Sequence, residues 1–77
     1  MPQSLMEILT TQLRISEDRV TPQSDLKRDL GADSLDLLQL LMALEEKFEM
    51  TIPDEALAGF ETVQDVIDFL ASRNIAL

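Results

Sequence analysis

The sequence predicts an all-α fold: a small antiparallel four-helix bundle, three main helices and one short helix, with a long first loop. Three observations carry this. Apolar residues recur at helical spacing in three stretches, each headed by a residue suited to starting a helix, and nowhere do apolar and polar residues alternate as in a half-buried strand. The 77 residues make a single domain, 1–77, near the lower size limit for folding without disulfides or metal.

The first helix is predicted from Ser4 to about Ser16. Ser4 and Glu7 have the spacing of a capping box, and Leu5, Ile8, Leu9 and Leu13 share one face that only Gln12 interrupts. From about Glu17 to Asp33 the periodicity lapses. Pro22 bars a continued helix, and Val20, Leu26 and Leu30 stand as spaced apolar anchors. A connection this long is uncommon in so small a domain; the anchors predict that it is ordered.

The second helix, Ser34 to about Glu49, has the strongest pattern. At about 100° per residue, Leu37, Leu40, Leu41, Leu44 and Phe48 make a core stripe. Leu35, Leu38 and Met42 make a second stripe, bordered by Glu45, Glu46 and Glu49. An ordinary surface helix needs one apolar stripe. The second one either packs on a neighbouring helix or meets a partner, and its acidic border favours the partner. Farther on, Asp54 is suited to cap a short turn from Glu55 to about Ala58 that Gly59 terminates. Thr62 and Asp65 then open the last helix, with Val63, Val66, Ile67 and Leu70 inward, Phe69 at the flank, and Arg73 and Asn74 suited to its end.

Composition excludes several classes of function. There are no cysteines, hence no disulfide and no thiolate metal site, and no histidine to serve as a general base. Fifteen acidic residues against six basic ones give a net charge of −9, which repels nucleic acid and anionic membranes and attracts basic protein surfaces. Neither a signal-peptide pattern nor a membrane-length apolar run is present, so a cytoplasmic location without membrane insertion is expected. The acidic groups Asp29, Asp33, Asp36 and Glu45, Glu46, Glu49 lack the spacing of a calcium loop, and no metal site is expected.

The candidate for chemistry is Ser34, at a loop-to-helix junction between Asp33 and Asp36. It reads in two ways: as a helix cap, or as an exposed hydroxyl at the positive end of a helix, where a phosphate linkage is well placed. A serine nucleophile of the chain's own lacks a histidine, and no G-x-S-x-G elbow is present, so no catalytic residue is assigned.

Gly31-Ala32-Asp33-Ser34-Leu35-Asp36, then Met42-Ala43-Leu44-Glu45-Glu46, Ile52-Pro53-Asp54-Glu55 and Thr62-Val63-Gln64-Asp65, carry a resemblance over essentially the whole chain. It resembles the acyl carrier proteins of dissociated (type II) fatty acid synthesis. That resemblance implies a non-catalytic carrier, a phosphoprotein with 4′-phosphopantetheine from coenzyme A covalently attached to Ser34, flanked by Asp33 and Leu35. A holo-carrier synthase (a phosphopantetheinyl transferase) would attach the arm with magnesium, and its thiol would hold acyl groups as thioesters. Asp36, Leu38, Gln39, Met42, Glu45 and Glu46 would join this site in docking on basic patches of acyl-processing enzymes. The acyl chain would lie in a space lined by Leu26, Leu40, Leu44, Phe48, Ile52, Leu57, Val63, Ile67 and Leu70. A monomer is expected.

Four features depart from the family pattern. Gln39 stands where an acid is usual on the docking face, and Lys47 interrupts an acidic run. Lys27-Arg28 places two cations in a loop usually neutral or acidic, and Leu37 is larger than the usual residue at its core position. They leave open a dedicated polyketide or other specialised acyl pathway. A different class of function is also open, a non-covalent acidic scaffold in which Ser34 merely caps the helix.

Overall fold

The computed structural model describes residues 2–75. Within them lie α1 (Gln3–Leu13), α2 (Ser34–Phe48), α3 (Asp54–Ala58) and α4 (Val63–Ser72), with a 3₁₀ turn, Glu17–Arg19, in the long first loop. The fold is an all-α small helical bundle. Its extended pairing among the described residues is a single isolated bridge between Asp25 and Thr62.

Helix α1 buries Leu5 and Leu9 fully, and half-buries Ile8 and Leu13. Two details of the sequence reading are corrected here. The helix begins at Gln3, behind Pro2, with no side-chain cap, so Ser4 lies inside the first turn and the expected Ser4–Glu7 box does not form. It also stops at Leu13 rather than near Ser16. Arg14 adopts a left-handed conformation (φ 57°), and both it and Ile15 donate their amides to the Thr10 carbonyl. That closure turns Ile15 onto the core. Glycine normally marks such a reversal; with arginine there, the sequence carried no stop signal.

The long loop is ordered by its anchors. Val20, Leu26 and Leu30 are all buried. Its backbone is also stitched to the start of α4: Leu26 N–H donates to Glu61 O at 2.8 Å, Val63 N–H to Ser24 O at 3.0 Å and Gln64 N–H to Pro22 O at 2.8 Å. Two of these acceptors satisfy first-turn amides that α4 itself cannot. Ser24, the buried polar residue of the loop, accepts from the Thr21 amide and donates to the Arg19 carbonyl.

Helix α2 buries Leu37, Leu40, Leu41 and Leu44 against this frame. Helix α4 adds Val63, Val66 and Leu70, and is closed at its start by the reciprocal Thr62–Asp65 box. Phe69 half-covers the flank, edge-on to Phe60 (centroids 5.6 Å apart) and beneath the Arg73 guanidinium. In α3, Pro53 is the cap position and Asp54 the first helical residue, without a side-chain cap bond; Gly59 ends it in a right-handed conformation (φ −89°). The expected capping by Asp54 is thus corrected: Pro53, already extended, leads the chain straight into the turn.

Candidate functional site

The site is built by the loop from Asp25 to Asp33. Asp25 O accepts the amides of Asp29 and Leu30, and Lys27 O accepts the amide of Gly31 at 3.1 Å. Gly31 then takes a left-handed conformation (φ 75°), which frees Ala32 to enter the core, 5% exposed, with its amide on Leu26 O. Asp33 follows extended, and α2 begins at Ser34.

Asp33, not Ser34, caps the helix. Its Oδ1 accepts the Asp36 amide at 2.9 Å, and Asp36 Oδ2 accepts the Asp33 amide at 3.1 Å. The cap reading of Ser34 is therefore overturned. Ser34 is the first helical residue, exposed to solvent, and its Oγ takes part in none of the side-chain hydrogen bonds among the described residues. Both neighbouring carboxylates take part in the cap, and neither is hydrogen-bonded to Ser34 Oγ.

One turn along, the second stripe of α2 lies open. Leu35 is 61% exposed, Leu38 47% and Met42 59%, the large apolar side chains left on the surface among the described residues. Gln39 and Glu46 are exposed beside them, and Asp36 is half-buried at the top of the stripe. Glu45 differs from the rest of that set. Half-buried, it accepts the Ile52 amide on Oε2 at 2.8 Å, and so fixes the connection between α2 and α3.

On its other side Ser34 borders a cleft of about 260 Å³ between the start of α2 and α3. Leu37, Leu57 and Phe60 supply its apolar wall; Lys27 and Asp54 stand at its polar margin. Of the nine residues expected to enclose an acyl chain, Leu57 alone lines this cleft. Leu26, Leu40, Leu44, Ile52, Val63 and Leu70 are buried in the continuous core, with Phe48 and Ile67 half-buried against it. Sequence reasoning missed Phe60, Lys27 and Asp54 as cleft residues, and read Leu37 as an oversized core residue that reshapes an acyl pocket rather than as part of this wall. Leu37 carried a usable signal, since it stands three positions after Ser34 and so on the same side of the helix. Phe60 carried none, because its place depends on how α3 folds back.

The loop behind the cleft is electrostatically firm. The Arg28 amide above all, then the Lys27 amide and both side-chain cations, hold the Asp25 carboxyl below its ordinary value, against the loss of hydration that opposes them. Among the described residues no three acidic side chains are grouped as metal ligands would be.

Comparisons with known proteins find likenesses over most of the chain. The family model described as "Phosphopantetheine attachment site" matches residues 3–70. The chain is 50% identical over 69 residues to the acyl carrier protein of Clostridium perfringens (strain 13 / Type A), covering 90% of this chain and 91% of that protein. It is 43% identical over 72 residues to the acyl carrier protein of Syntrophobacter fumaroxidans, covering 94% and 89%. A solved acyl carrier protein structure from Mycobacterium tuberculosis superposes with a TM-score of 0.84 at 34% identity, over 91% of this chain and 93% of that one.

Proposed function

The chain belongs to the acyl carrier protein family, non-catalytic carriers with covalently attached phosphopantetheine, and from that premise we propose that Ser34 is the attachment residue and that the carrier serves fatty acid biosynthesis. The observation that carries the assignment is the exposure of the Ser34 hydroxyl at the first turn of α2, with Asp33 doing the capping in its place. The surroundings fit a phosphodiester. Ser34 is exposed, the helix start presents partial positive charge, and the adjacent cleft has an apolar wall along which a flexible arm can lie.

When bound, the group supplies a terminal thiol that this cysteine-free chain lacks, and so a place for an acyl thioester. The chain's own residues do the rest. Ser34 Oγ forms the bond to the pantetheine phosphorus of coenzyme A, and 3′,5′-adenosine bisphosphate leaves as the pyrophosphate link breaks. The hydroxyl proton passes to a base on the transferase, since this chain has no histidine and its nearby carboxylates are engaged in the cap. Leu35, Leu38 and Met42, with Asp36, Gln39, Glu45 and Glu46 around them, form the surface that meets the transferase and the acyl-processing enzymes. Charge-steered contacts of this kind give fast exchange, which a shuttle needs. The interior set from Leu26 to Leu70 receives the acyl chain only if the helices part, because those residues are packed together in the unloaded fold. We place this work in the cytoplasm and assign the carrier as a monomer.

A specialised acyl pathway is the second reading, favoured by Lys27 at the cleft margin and by the exposed Gln39 and Lys47 on α2. Two measurements test the assignments. Co-expression with a broad phosphopantetheinyl transferase gives wild type the mass of one arm, and Ser34→Ala none; an unchanged wild-type mass, or the same gain in Ser34→Ala, overturns the site. Malonyl loading and chain extension by a type II fatty acid synthase set support the pathway. Failure of extension with a loaded arm favours the specialised one.

A further inference from the structure

We propose that Lys27 is a positioning residue for the arm: its ammonium pairs with the phosphodiester on Ser34 and draws the arm toward the cleft between α2 and α3. The proposal rests on Ser34 being the attachment residue. Lys27 and Ser34 line the same cleft, and Lys27 belongs to the loop that leads into Ser34. The phosphate is joined directly to Ser34 Oγ, so the anion is confined to this margin whatever the rest of the arm does.

The charges already present make a cation here consequential. A phosphodiester on Ser34 adds a negative charge beside Asp33 and Asp36, whose carboxylates the reciprocal cap holds at the helix start. The cap also occupies the Asp36 amide, which removes one first-turn donor from the helix end. Lys27 is the cation that lines the cleft; its neighbour Arg28 does not.

Its placement is built into the loop rather than left to a mobile segment. The Lys27 amide donates to Asp25 Oδ1 at 3.0 Å, and its carbonyl accepts from the Gly31 amide at 3.1 Å. Both ends of the residue's backbone are thereby held, and the exposed, flexible side chain acts as a point charge swung from a fixed base. Asp25, whose carboxyl the Arg28 amide and, more weakly, the Lys27 cation hold low, and Asp54, which lines the same cleft, are the competing anions in the unloaded protein.

The test uses the full chain in apo and holo forms, as wild type, Lys27→Met, Lys27→Arg and Arg28→Met, with loading verified by intact mass. In low salt the apo-to-holo change in thermal midpoint is expected to be more favourable in wild type than in Lys27→Met by about 2 °C. Lys27→Arg and Arg28→Met should behave as wild type, and the difference should shrink in about 0.5 M salt. The Lys27 ε-methylene NMR signals should shift on loading. Equal midpoint changes in wild type and Lys27→Met overturn the proposal, as does an Arg28→Met effect as large as that of Lys27→Met, or ε-methylene signals that stay in place. Absence of any mass gain in wild type is the separate result that overturns Ser34 itself, and Lys27's role with it.

Discussion

Ser34 is free because its neighbour does the capping. An aspartate at the cap position accepts a first-turn amide as well as serine does, so the hydroxyl one residue later is left without a structural task. The same division of labour limits what mutagenesis can read at Glu45. Its carboxylate holds the Ile52 amide, so Glu45→Gln is expected to lower stability by about 1 kcal/mol in a denaturant titration as well as weaken docking. Gly31 is the backbone counterpart. A Cβ there meets nothing within 4 Å, and the left-handed φ of 75° is the constraint. Gly31→Ala should therefore cost only the conformational term, about 1 kcal/mol, measured in the same titration; a loss several times larger would mean that the loop makes contacts through Gly31.

Two acids give the stability a pH dependence at the same scale. Amides of Thr62 first and then Glu61 hold the Asp65 carboxyl below its ordinary value of 3.8, and Asp25 is lowered by the Arg28 amide first. A carboxylate lowered in the folded state contributes stability fully above its ordinary value and loses it as pH falls through the lowered one. Unfolding free energy should thus decline below about pH 4, and Asp65→Asn should flatten that decline. Denaturant titrations between about pH 2 and 6 check this.

At the scale of the element, α2 has two faces with opposite duties. Leu40 is buried in the core, whereas Leu38 is 47% exposed on the open stripe. Leu40→Ala should cost about 2–5 kcal/mol, a large share of what a domain this size possesses. Leu38→Glu should leave the unfolding free energy within about 0.5 kcal/mol. Its effect should instead fall on kcat/KM when the chain is offered as substrate to a phosphopantetheinyl transferase or a ketosynthase. Retained turnover with Leu38→Glu would remove the stripe from the docking surface.

Across the whole molecule, the excess of negative charge acts at a distance while the stripe acts on contact. Rates of transfer to basic partner enzymes should fall steeply with ionic strength, and stopped-flow measurements over a salt series would show it. The long loop matters at this scale too. By lending carbonyls of Pro22 and Ser24 to the start of α4, it ties the Ser34 corner to the far end of the chain. The loop and the last helix are therefore expected to open together in hydrogen exchange.

What the sequence by itself determined is whatever depends on residues close together in the chain. The stripes of α2, the Thr62–Asp65 box, the anchors Val20, Leu26 and Leu30, and a hydroxyl at a helix start are all short-range patterns, and apolar spacing decides them. Even so, chain-local reading misplaced the α1 terminus, because Arg14 takes a conformation that no residue type there announces. Only the tertiary structure decided that the Leu35–Leu38–Met42 stripe stays uncovered. It also decided that the cleft beside Ser34 is walled by Leu37, Leu57 and Phe60 and faced by Lys27. Those residues come from three separate segments, and their meeting is set by how the loop and α3 pack back on α2, which side-chain periodicity within one helix does not encode.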